Sequence, residues 1–315
     1  MIKIDFKGFW EGFNYLHNEF FAYLINEGLV EINVENPDIV FYSDYISDSD
    51  VNTSKPRVLY SPENIPRKNY LFKYHMNYEK GNKNNFRFQN FFYYPFFYEV
   101  TDNKESEYYL YLKKREKTKN INFIYSNGNA LIRNRYFDFL SSHYKIDSFG
   151  RYKNNMGRLS ASPDKSLYSR AIQKSELIAE YKFTIAFENS KGVDYISEKI
   201  WEPISVNSIP IYYGSEAVFD YFNKDKIIYI SSEKDFSKSL SLIREINSSD
   251  NLYKEYLDLD IFANEGVKEL VKYKSLSIRF IQYLEKIIQD DVDVDYKLIK
   301  RIQYVVRKIN KKYVF

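Results

Sequence analysis

The sequence predicts an α/β protein built from two units, each with a parallel sheet. Short runs rich in β-branched and aromatic residues alternate with segments of helical periodicity in both halves of the chain. A basic stretch between the two series, residues 113–120, has the composition of an interdomain linker. The 315 residues exceed one domain of ordinary size, and a hydrophobic content of 44% can supply sizeable cores.

The first unit begins with a helical pattern over 11–28, where apolar residues recur at three- and four-residue spacing and a glycine ends the segment. Strands are predicted in LVEINVE, DIVFYS and RVLYS, because short runs of this composition favour extended backbone. Another apolar run covers 86–100. We expect these elements to form an N-terminal domain over 1–115.

The second unit begins with a predicted strand in INFIYSN, from Ile121. Helices are predicted around RNRYFDFLSS, SRAIQKSELIAEY and SEKIWEPISVN, and strands in FTIAFEN, SIPIYYGS and KIIYISS. The pattern becomes helical after residue 251. We expect a second domain over 116–285 and a C-terminal tail over 286–315.

Composition and charge exclude several classes of protein. A net charge of +3 argues against a nucleic-acid partner. The absence of cysteine excludes disulfides, thiol nucleophiles and cysteine-zinc sites, and fits a reducing compartment. The first ten residues lack the pattern of a signal peptide, and the sequence has no run of apolar residues long enough to span a membrane.

The stretch FENSKGVDYISEKIW places many polar residues between a predicted strand and a predicted helix. Ligands of parallel sheets bind at the carboxyl ends of strands, and helix N-termini bind phosphates. With Ser197 as helix cap, Glu198 and Lys199 fall in the first helical turn. A lysine is unfavourable there unless it binds an anion. The alternative is an ordinary capped helix with charges on its surface.

The stretch YKFTIAFENSKGVDYISEKIW, followed by IPIYYGS, closely resembles the signature of the α1,3/4-fucosyltransferase family, glycosyltransferase family 10. LYSPENIP, NALIRNRYFDFL and IDSFGRYKNN are similar to three further segments of that family. The resemblance covers residues 1–265 and is strongest over 120–230. Pro62 departs from the family, which usually has glycine before the glutamate.

The resemblance implies the GT-B fold, in which two Rossmann-like domains face each other across a cleft. It implies transfer of L-fucose from GDP-fucose, with inversion, to the 3-hydroxyl of N-acetylglucosamine in a lactosamine-type glycan. The setting that it implies is bacterial surface-polysaccharide synthesis in the cytoplasm, at the inner face of the membrane, on an oligosaccharide or glycolipid acceptor. Two alternatives stay open: the same mechanism with another GDP-sugar or acceptor, and a non-catalytic glycan- or nucleotide-binding module.

The resemblance also assigns roles to individual residues. Glu63 becomes the candidate general base, although SPEN is also good turn chemistry. Arg133 and Lys199 become ligands of the diphosphate, although an arginine on a helix is usually an exposed charge. The remaining candidates for contact with fucose, ribose or phosphate are Asn189, Tyr195 and Glu198, and Glu198 is also a catalytic candidate at the anomeric centre.

Two residues near the signature receive other roles. Glu188 is interpreted as a structural residue that orients its neighbours. Lys182 is a candidate supporting cation behind the site. These interpretations rest on the resemblance rather than on spacing.

No metal site is predicted. Asp-x-Asp patterns occur at 48–50 and within 290–295, but both lie far from the signature in sequence and are typical of solvated acids. If Arg133 and Lys199 meet the charge of the leaving group, no cofactor or protein-bound metal is required. Stimulation by Mn²⁺ or Mg²⁺ stays open.

The C-terminal tail has a basic, amphipathic pattern over 297–315. Leu298, Ile302, Val305 and Ile309 form an apolar stripe opposite lysines and arginines. Such a helix can lie on an anionic membrane or pack on the catalytic domains with its basic face in water. Both interpretations stay open.

Overall fold

The computed structural model of the chain describes residues 1–51, 54–64, 71–157 and 167–291. Within these ranges the first half forms one parallel sheet of six strands in the order β2-β1-β3-β4-β5-β6. The strands are β1 (Ile2–Lys7), β2 (Val30–Ile32), β3 (Ile39–Ser43), β4 (Arg57–Ser61), β5 (Tyr74–Asn77) and β6 (Asn85–Arg87).

The second half forms another parallel sheet, with five strands in the described ranges in the order β11-β10-β9-β7-β8. These strands are β7 (Lys119–Phe123), β8 (Ile146–Ser148), β9 (Tyr181–Phe187), β10 (Ile209–Tyr213) and β11 (Ile228–Tyr229). The prediction of an α/β protein with two parallel sheets is confirmed.

Helices connect the strands of both sheets. They are α1 (Glu19–Asn26), α2 (Phe97–Thr101), α3 (Glu107–Lys113), α4 (Leu131–Ser141), α5 (Leu167–Ile178), α6 (Glu198–Ser205), α7 (Phe236–Ser248), α8 (Asp250–Asp258), α9 (Glu265–Val271) and α10 (273–291). Short 3₁₀ helices occur at Tyr15–His17, Asp48–Asp50, Asn90–Tyr93, Glu216–Asp220, Lys224–Lys226 and Glu233–Asp235. None of the helices within the described ranges has the length and apolar character that a membrane span requires.

The strand order reverses once in each sheet. In the first sheet β2 and β3 lie on opposite sides of β1, and in the second sheet β8 and β9 lie on opposite sides of β7. Connections leave in opposite directions at such a point, so a crevice opens at the carboxyl ends of the strands. The second reversal places a crevice between β7 and β9.

Helix α10 returns to the first sheet. The ring of Phe280 in α10 lies 4.9 Å from that of Phe86 and 6.1 Å from that of Phe41, measured between centroids. The two halves also share a core where Trp201 of α6 packs on Phe97 of α2 at 5.0 Å. The predicted domain boundaries at 115/116 and 285/286 stay predictions, and α10 crosses the second of them.

The helix predicted over 11–28 is shorter than expected. Asn14 caps the 3₁₀ helix Tyr15–His17, and Asn18 then caps α1, which begins only at Glu19. An asparagine side chain that accepts a backbone N–H starts a new helix rather than continuing an old one. The two caps therefore divide the segment.

Candidate active site

The loop between β9 and α6, residues 188–197, carries most of the predicted site. Ser197 caps α6, and its hydroxyl accepts a hydrogen bond from the Lys199 amide at 3.4 Å. Asp194 has a φ of 61°, in the left-handed region that short polar residues tolerate better than most. The cap and the turn direct the loop across the carboxyl end of the second sheet. We call residues 188–197 the β9–α6 loop.

Glu188 is a buried support beneath this loop. Only 1% of the residue is exposed. One carboxylate oxygen accepts from the Ser197 amide at 2.8 Å and the Tyr212 hydroxyl at 3.2 Å. The other accepts from the Ser197 hydroxyl at 2.7 Å and lies 3.4 Å from Lys199 Nζ. This geometry agrees with the structural role that we expected for Glu188.

Lys199 lies between two carboxylates at the start of α6. Its Nζ is 3.4 Å from Glu188 Oε2 and 3.3 Å from Glu198 Oε1. Burial lowers the pKa of Lys199, but Glu198 and Glu188 outweigh it and the pKa lies well above its ordinary value. Burial likewise raises the pKa of Glu198, yet Lys199 and Lys174 bring it below the ordinary value. Both groups are therefore charged at neutral pH.

A cavity of about 250 Å³ opens beside this ion pair at the reversal between β7 and β9. Its lining comprises Ile124, Tyr125, Ser126, Asn127, Lys174, Ile178, Thr184, Ile185, Ala186, Asn189, Glu198, Lys199 and Glu202. Lysine and carboxylate groups together on the wall of a crevice at strand ends suit a ligand with phosphate and hydroxyl groups.

Arg133 lies behind the cavity wall and is fully buried. Its guanidinium donates to Asn189 Oδ1 at 2.8 Å and to the Asn127 carbonyl, and it lies 4.0 Å from the ring centroid of Tyr125. The interpretation of Arg133 as an exposed helical charge is wrong. Burial lowers the pKa of Arg133, although the side chain keeps its charge at any physiological pH.

Glu63 comes from the other half of the chain and lies in the turn after β4 of the first sheet. Its side chain is exposed, and its Oε2 accepts a hydrogen bond of 3.3 Å from the hydroxyl of Tyr195. Although the side chain reaches solvent, surrounding protein partly desolvates its carboxylate and raises the pKa of Glu63. The charge of Glu198 raises this pKa further, and the charge of Lys199 opposes the increase. The structure thus brings Glu63 to the β9–α6 loop despite Pro62.

Other predicted groups lie elsewhere. Lys182 is at the amino end of β9, with its Nζ 4.9 Å from the ring centroid of Tyr253, so it does not reach the site. The acids at 48–50 form an exposed 3₁₀ helix.

Asp290 pairs with Tyr74 and Lys73 at the end of α10, and the rest of 290–295 beyond Asp291 lies outside the described residues. In the part of the chain that the structure describes, no three acidic or histidine side chains cluster closely enough to hold a metal ion.

Sequence reasoning missed the second ion pair of the cavity wall. Lys174 Nζ of α5 lies 2.6 Å from Glu202 of α6, and burial raises the pKa of Glu202. The spacing of Glu198 and Glu202, four residues apart on one helix face, could have predicted that both face the same cavity. Nothing near Lys174 in sequence indicates its position.

Comparisons with known proteins identify a family and several relatives. Residues 114–302 match the sequence model described as glycosyltransferase family 10 (fucosyltransferase) C-term. The chain is 31% identical over 135 residues to an alpha-(1,3)-fucosyltransferase of Helicobacter pylori, a match that covers 43% of this chain and 26% of the relative. It is 34% identical over 132 residues to the human GDP-fucose protein O-fucosyltransferase 3, which covers 40% of this chain and 26% of the relative. The matched region thus spans about a quarter of each relative.

Solved structures match over nearly the whole chain. A crystal structure of an alpha1,3-fucosyltransferase with GDP-fucose has a TM-score of 0.63 and 23% identity, covering 91% of this chain and 90% of that one. A crystal structure of an alpha1,3-fucosyltransferase with GDP has a TM-score of 0.65 and 22% identity, with the same coverage. These matches confirm the predicted GT-B fold. With the family model matching more than half of its length, the chain belongs to glycosyltransferase family 10.

Proposed function

We propose that the chain is an inverting fucosyltransferase, which transfers L-fucose from GDP-fucose to the 3-hydroxyl of N-acetylglucosamine in a lactosamine-type glycan. The observation that carries the proposal is the placement of Glu63, in the turn after β4 of the first sheet, next to the β9–α6 loop, which leads to Lys199. The Tyr195 hydroxyl donates to Glu63 Oε2 at 3.3 Å and so connects this turn to the β9–α6 loop. A single displacement needs a base for the acceptor hydroxyl on one side of the reacting carbon and a site for the leaving diphosphate on the other.

In this proposal Glu63 takes the proton of the acceptor hydroxyl as its oxygen attacks the anomeric carbon of fucose. The new carbon–oxygen bond forms while the bond from that carbon to the β-phosphate oxygen breaks. The electron pair leaves with GDP, and the proton stays on Glu63 until solvent removes it. Attack from the face opposite the leaving group inverts the anomeric centre. The raised pKa of Glu63 makes it a better proton acceptor than an ordinary glutamate.

Charge on the departing diphosphate is met by Lys199 and by the N-terminus of α6. Glu198 and Asn189, both on the cavity wall, would contact sugar hydroxyls. Glu198 would also favour positive charge at the anomeric carbon. Arg133 contributes its buried charge and fixes Asn189. Since these groups supply the positive charge, the proposal requires no protein-bound metal, and stimulation by Mn²⁺ or Mg²⁺ is left to measurement.

The acceptor is the less constrained part of the proposal. One relative is named a protein O-fucosyltransferase, so a serine or threonine hydroxyl is a second candidate acceptor. The sequence match to that relative covers only 40% of this chain. The alternatives of another GDP-sugar, or of a binding module without turnover, have the same fold.

The test is a panel of donors and acceptors with the purified full chain. GDP-fucose and GDP-mannose would each be incubated with N-acetyllactosamine and with a serine/threonine peptide, and products analysed by mass spectrometry and NMR. We expect fucosylated N-acetyllactosamine with an α1,3 linkage. Transfer to the peptide alone would show that the acceptor is a protein hydroxyl. Transfer only from GDP-mannose would show that the donor is not GDP-fucose. GDP binding without turnover of any pair would favour the binding module.

We further propose that the protein acts in the cytoplasm, held at the inner membrane face by residues 297–315. That segment lies outside the described residues, and its basic amphipathic sequence supports the proposal. The full chain should sediment with vesicles that contain anionic lipid, and a chain that ends at residue 296 should not. Equal sedimentation of both chains would contradict this role of the tail.

A further inference from the structure

Tyr78 connects the turn that carries Glu63 to the β9–α6 loop. It directly follows β5, and only 5% of it is exposed. Its hydroxyl donates to Asn64 Oδ1 at 2.9 Å, and its ring meets that of Tyr195 edge-on, with centroids 5.0 Å apart. Tyr78 therefore contacts the residue next to Glu63 and also the residue whose hydroxyl binds Glu63.

Asn64 extends this connection to the other end of the loop. Its Nδ2 donates to the Ser190 hydroxyl at 2.9 Å. A side chain at Gly192 would bring its Cβ to 2.8 Å from Asn64 Nδ2 and 3.0 Å from Tyr195 Cβ. The loop and the turn thus approach so closely that a side chain at residue 192 would displace Asn64 or the loop.

A cluster of charges anchors the same loop to the first sheet. Lys80 donates its backbone N–H to Asp194 Oδ2 at 3.3 Å, and its Nζ lies 3.6 Å from Oδ1. Arg87 lies 3.9 Å from the same oxygen, and Gln89 donates to the Asp194 carbonyl at 3.2 Å. The Asp194 side chain is only 15% exposed, so these contacts hold a partly desolvated carboxylate. The left-handed turn at Asp194 is therefore fixed by residues after β5, on β6 and just after β6.

Glu63 itself lies in an exposed turn. We propose that Tyr78 is a positioning residue for the candidate base Glu63, which it places relative to the β9–α6 loop through Asn64 and Tyr195. This inference rests on the proposed function, because a base needs positioning only if it takes a proton. It goes beyond that function in making the placement of the base depend on the loop that binds the donor.

The test is a double-mutant cycle with Tyr78→Phe and Glu63→Gln. Tyr78→Phe removes the hydrogen bond to Asn64 and keeps the ring. In the parent background kcat should fall about tenfold, with the dissociation constant for GDP within about twofold of the parent value. In the Glu63→Gln background Tyr78→Phe should have no further effect, because it acts only through the carboxylate.

Tyr74→Phe is the matched control. Tyr74 lies on β5 at the end away from the site, and its hydroxyl donates to Asp290 Oδ2 at 2.8 Å. Tyr74→Phe also removes a tyrosine hydroxyl and its hydrogen bond, but far from Glu63, so kcat should stay at the parent value. An equal loss of kcat in Tyr74→Phe would overturn the inference, since general destabilisation would then explain both variants.

Hydrogen–deuterium exchange separates the inference from the proposed function. Tyr78→Phe should speed amide exchange both in the peptide over 59–64 and in the peptide over 188–197, whether or not the protein transfers fucose. Unchanged exchange in both peptides would overturn the connection. An active parent whose kcat is unchanged by Tyr78→Phe would overturn the positioning role and leave the proposed function intact. An inactive parent would overturn the proposed function, and the exchange result would still decide whether Tyr78 joins the two segments.

Discussion

Replacing Glu188 by glutamine should destabilise the fold strongly, because this carboxylate accepts from several donors at once. Its side chain is completely buried. Oε1 faces the Ser197 amide and the Tyr212 hydroxyl, and Oε2 faces the Ser197 hydroxyl and the Lys199 ammonium. Glutamine offers a single oxygen, so either orientation of its amide turns an NH₂ group toward donors.

The less costly orientation puts the NH₂ group at the position of Oε2. The Ser197 hydroxyl can then rotate and accept, but Lys199 faces a donor and loses one of its two counter-ions. A lost charge-assisted hydrogen bond costs about 1.5–3 kcal/mol, and a broken buried ion pair about 3–5 kcal/mol. Since Glu198 still pairs with Lys199, we expect Glu188→Gln to lower the free energy of unfolding by about 2–4 kcal/mol.

The assay is urea unfolding followed by far-UV circular dichroism, with the midpoint and slope compared between variants. Glu233→Gln is the control, because Glu233 also forms an ion pair, with Arg135, but its side chain is 51% exposed. Exposed pairs contribute about 1 kcal/mol or less, so the control should unfold close to the parent. A free energy of unfolding for Glu188→Gln within about 0.5 kcal/mol of the parent would refute the assignment of Glu188 as the support of the loop.

Three further predictions concern the cleft and one buried acid. Gly192→Ala would bring a Cβ within 2.8 Å of Asn64 Nδ2, so the Asn64 amide or the loop must shift, and steady-state kinetics should show kcat lower by about tenfold; an unchanged kcat would contradict the close approach. Because desolvation and the charge of Glu198 raise the pKa of Glu63, kcat/KM should fall on acidification at a pH above the ordinary pKa of glutamate, and a lower limb would exclude Glu63 as the base. Burial raises the pKa of Glu19 to about 8. The folded state then binds a proton that the unfolded state has lost, so stability falls as pH rises from the ordinary pKa toward 8. Glu19→Gln should therefore stabilise the protein by roughly 2 kcal/mol more at about pH 8 than at about pH 4, measured by urea unfolding, and an equal effect at both pH values would contradict this.

Several of the strands that were predicted correctly have continuous apolar runs. β3, β4, β9 and β10 are almost entirely buried, and their β-branched and aromatic residues identify them in the sequence. β5 was missed because it buries His75 and Asn77, which interrupt the apolar pattern. A buried polar strand can be recognised only once its hydrogen-bond partners are known.

Some residues of the candidate site could likewise be grouped from the sequence, and others could not. Glu188, Asn189, Glu198 and Lys199 fall within one strand–loop–helix segment, so a local pattern places them together. The contacts that complete the site join distant segments: Tyr195 and Glu63 are separated by 132 positions. No periodicity carries such information. The resemblance predicted Arg133 as a ligand of the diphosphate, but its burial against Asn127 and Asn189 could not be predicted because these partners could not be identified beforehand.

The comparison of the parent with Glu63→Gln, using GDP-fucose and N-acetyllactosamine, tests the central claim most directly. Transfer would be followed by the release of GDP and by mass spectrometry of the glycan, and GDP affinity by calorimetry. We expect the parent to transfer fucose, and Glu63→Gln to bind GDP with parent affinity while its kcat falls by about a thousandfold or more. Transfer by Glu63→Gln at the parent rate would contradict the assignment of the base, and a parent that binds no GDP would contradict the donor site.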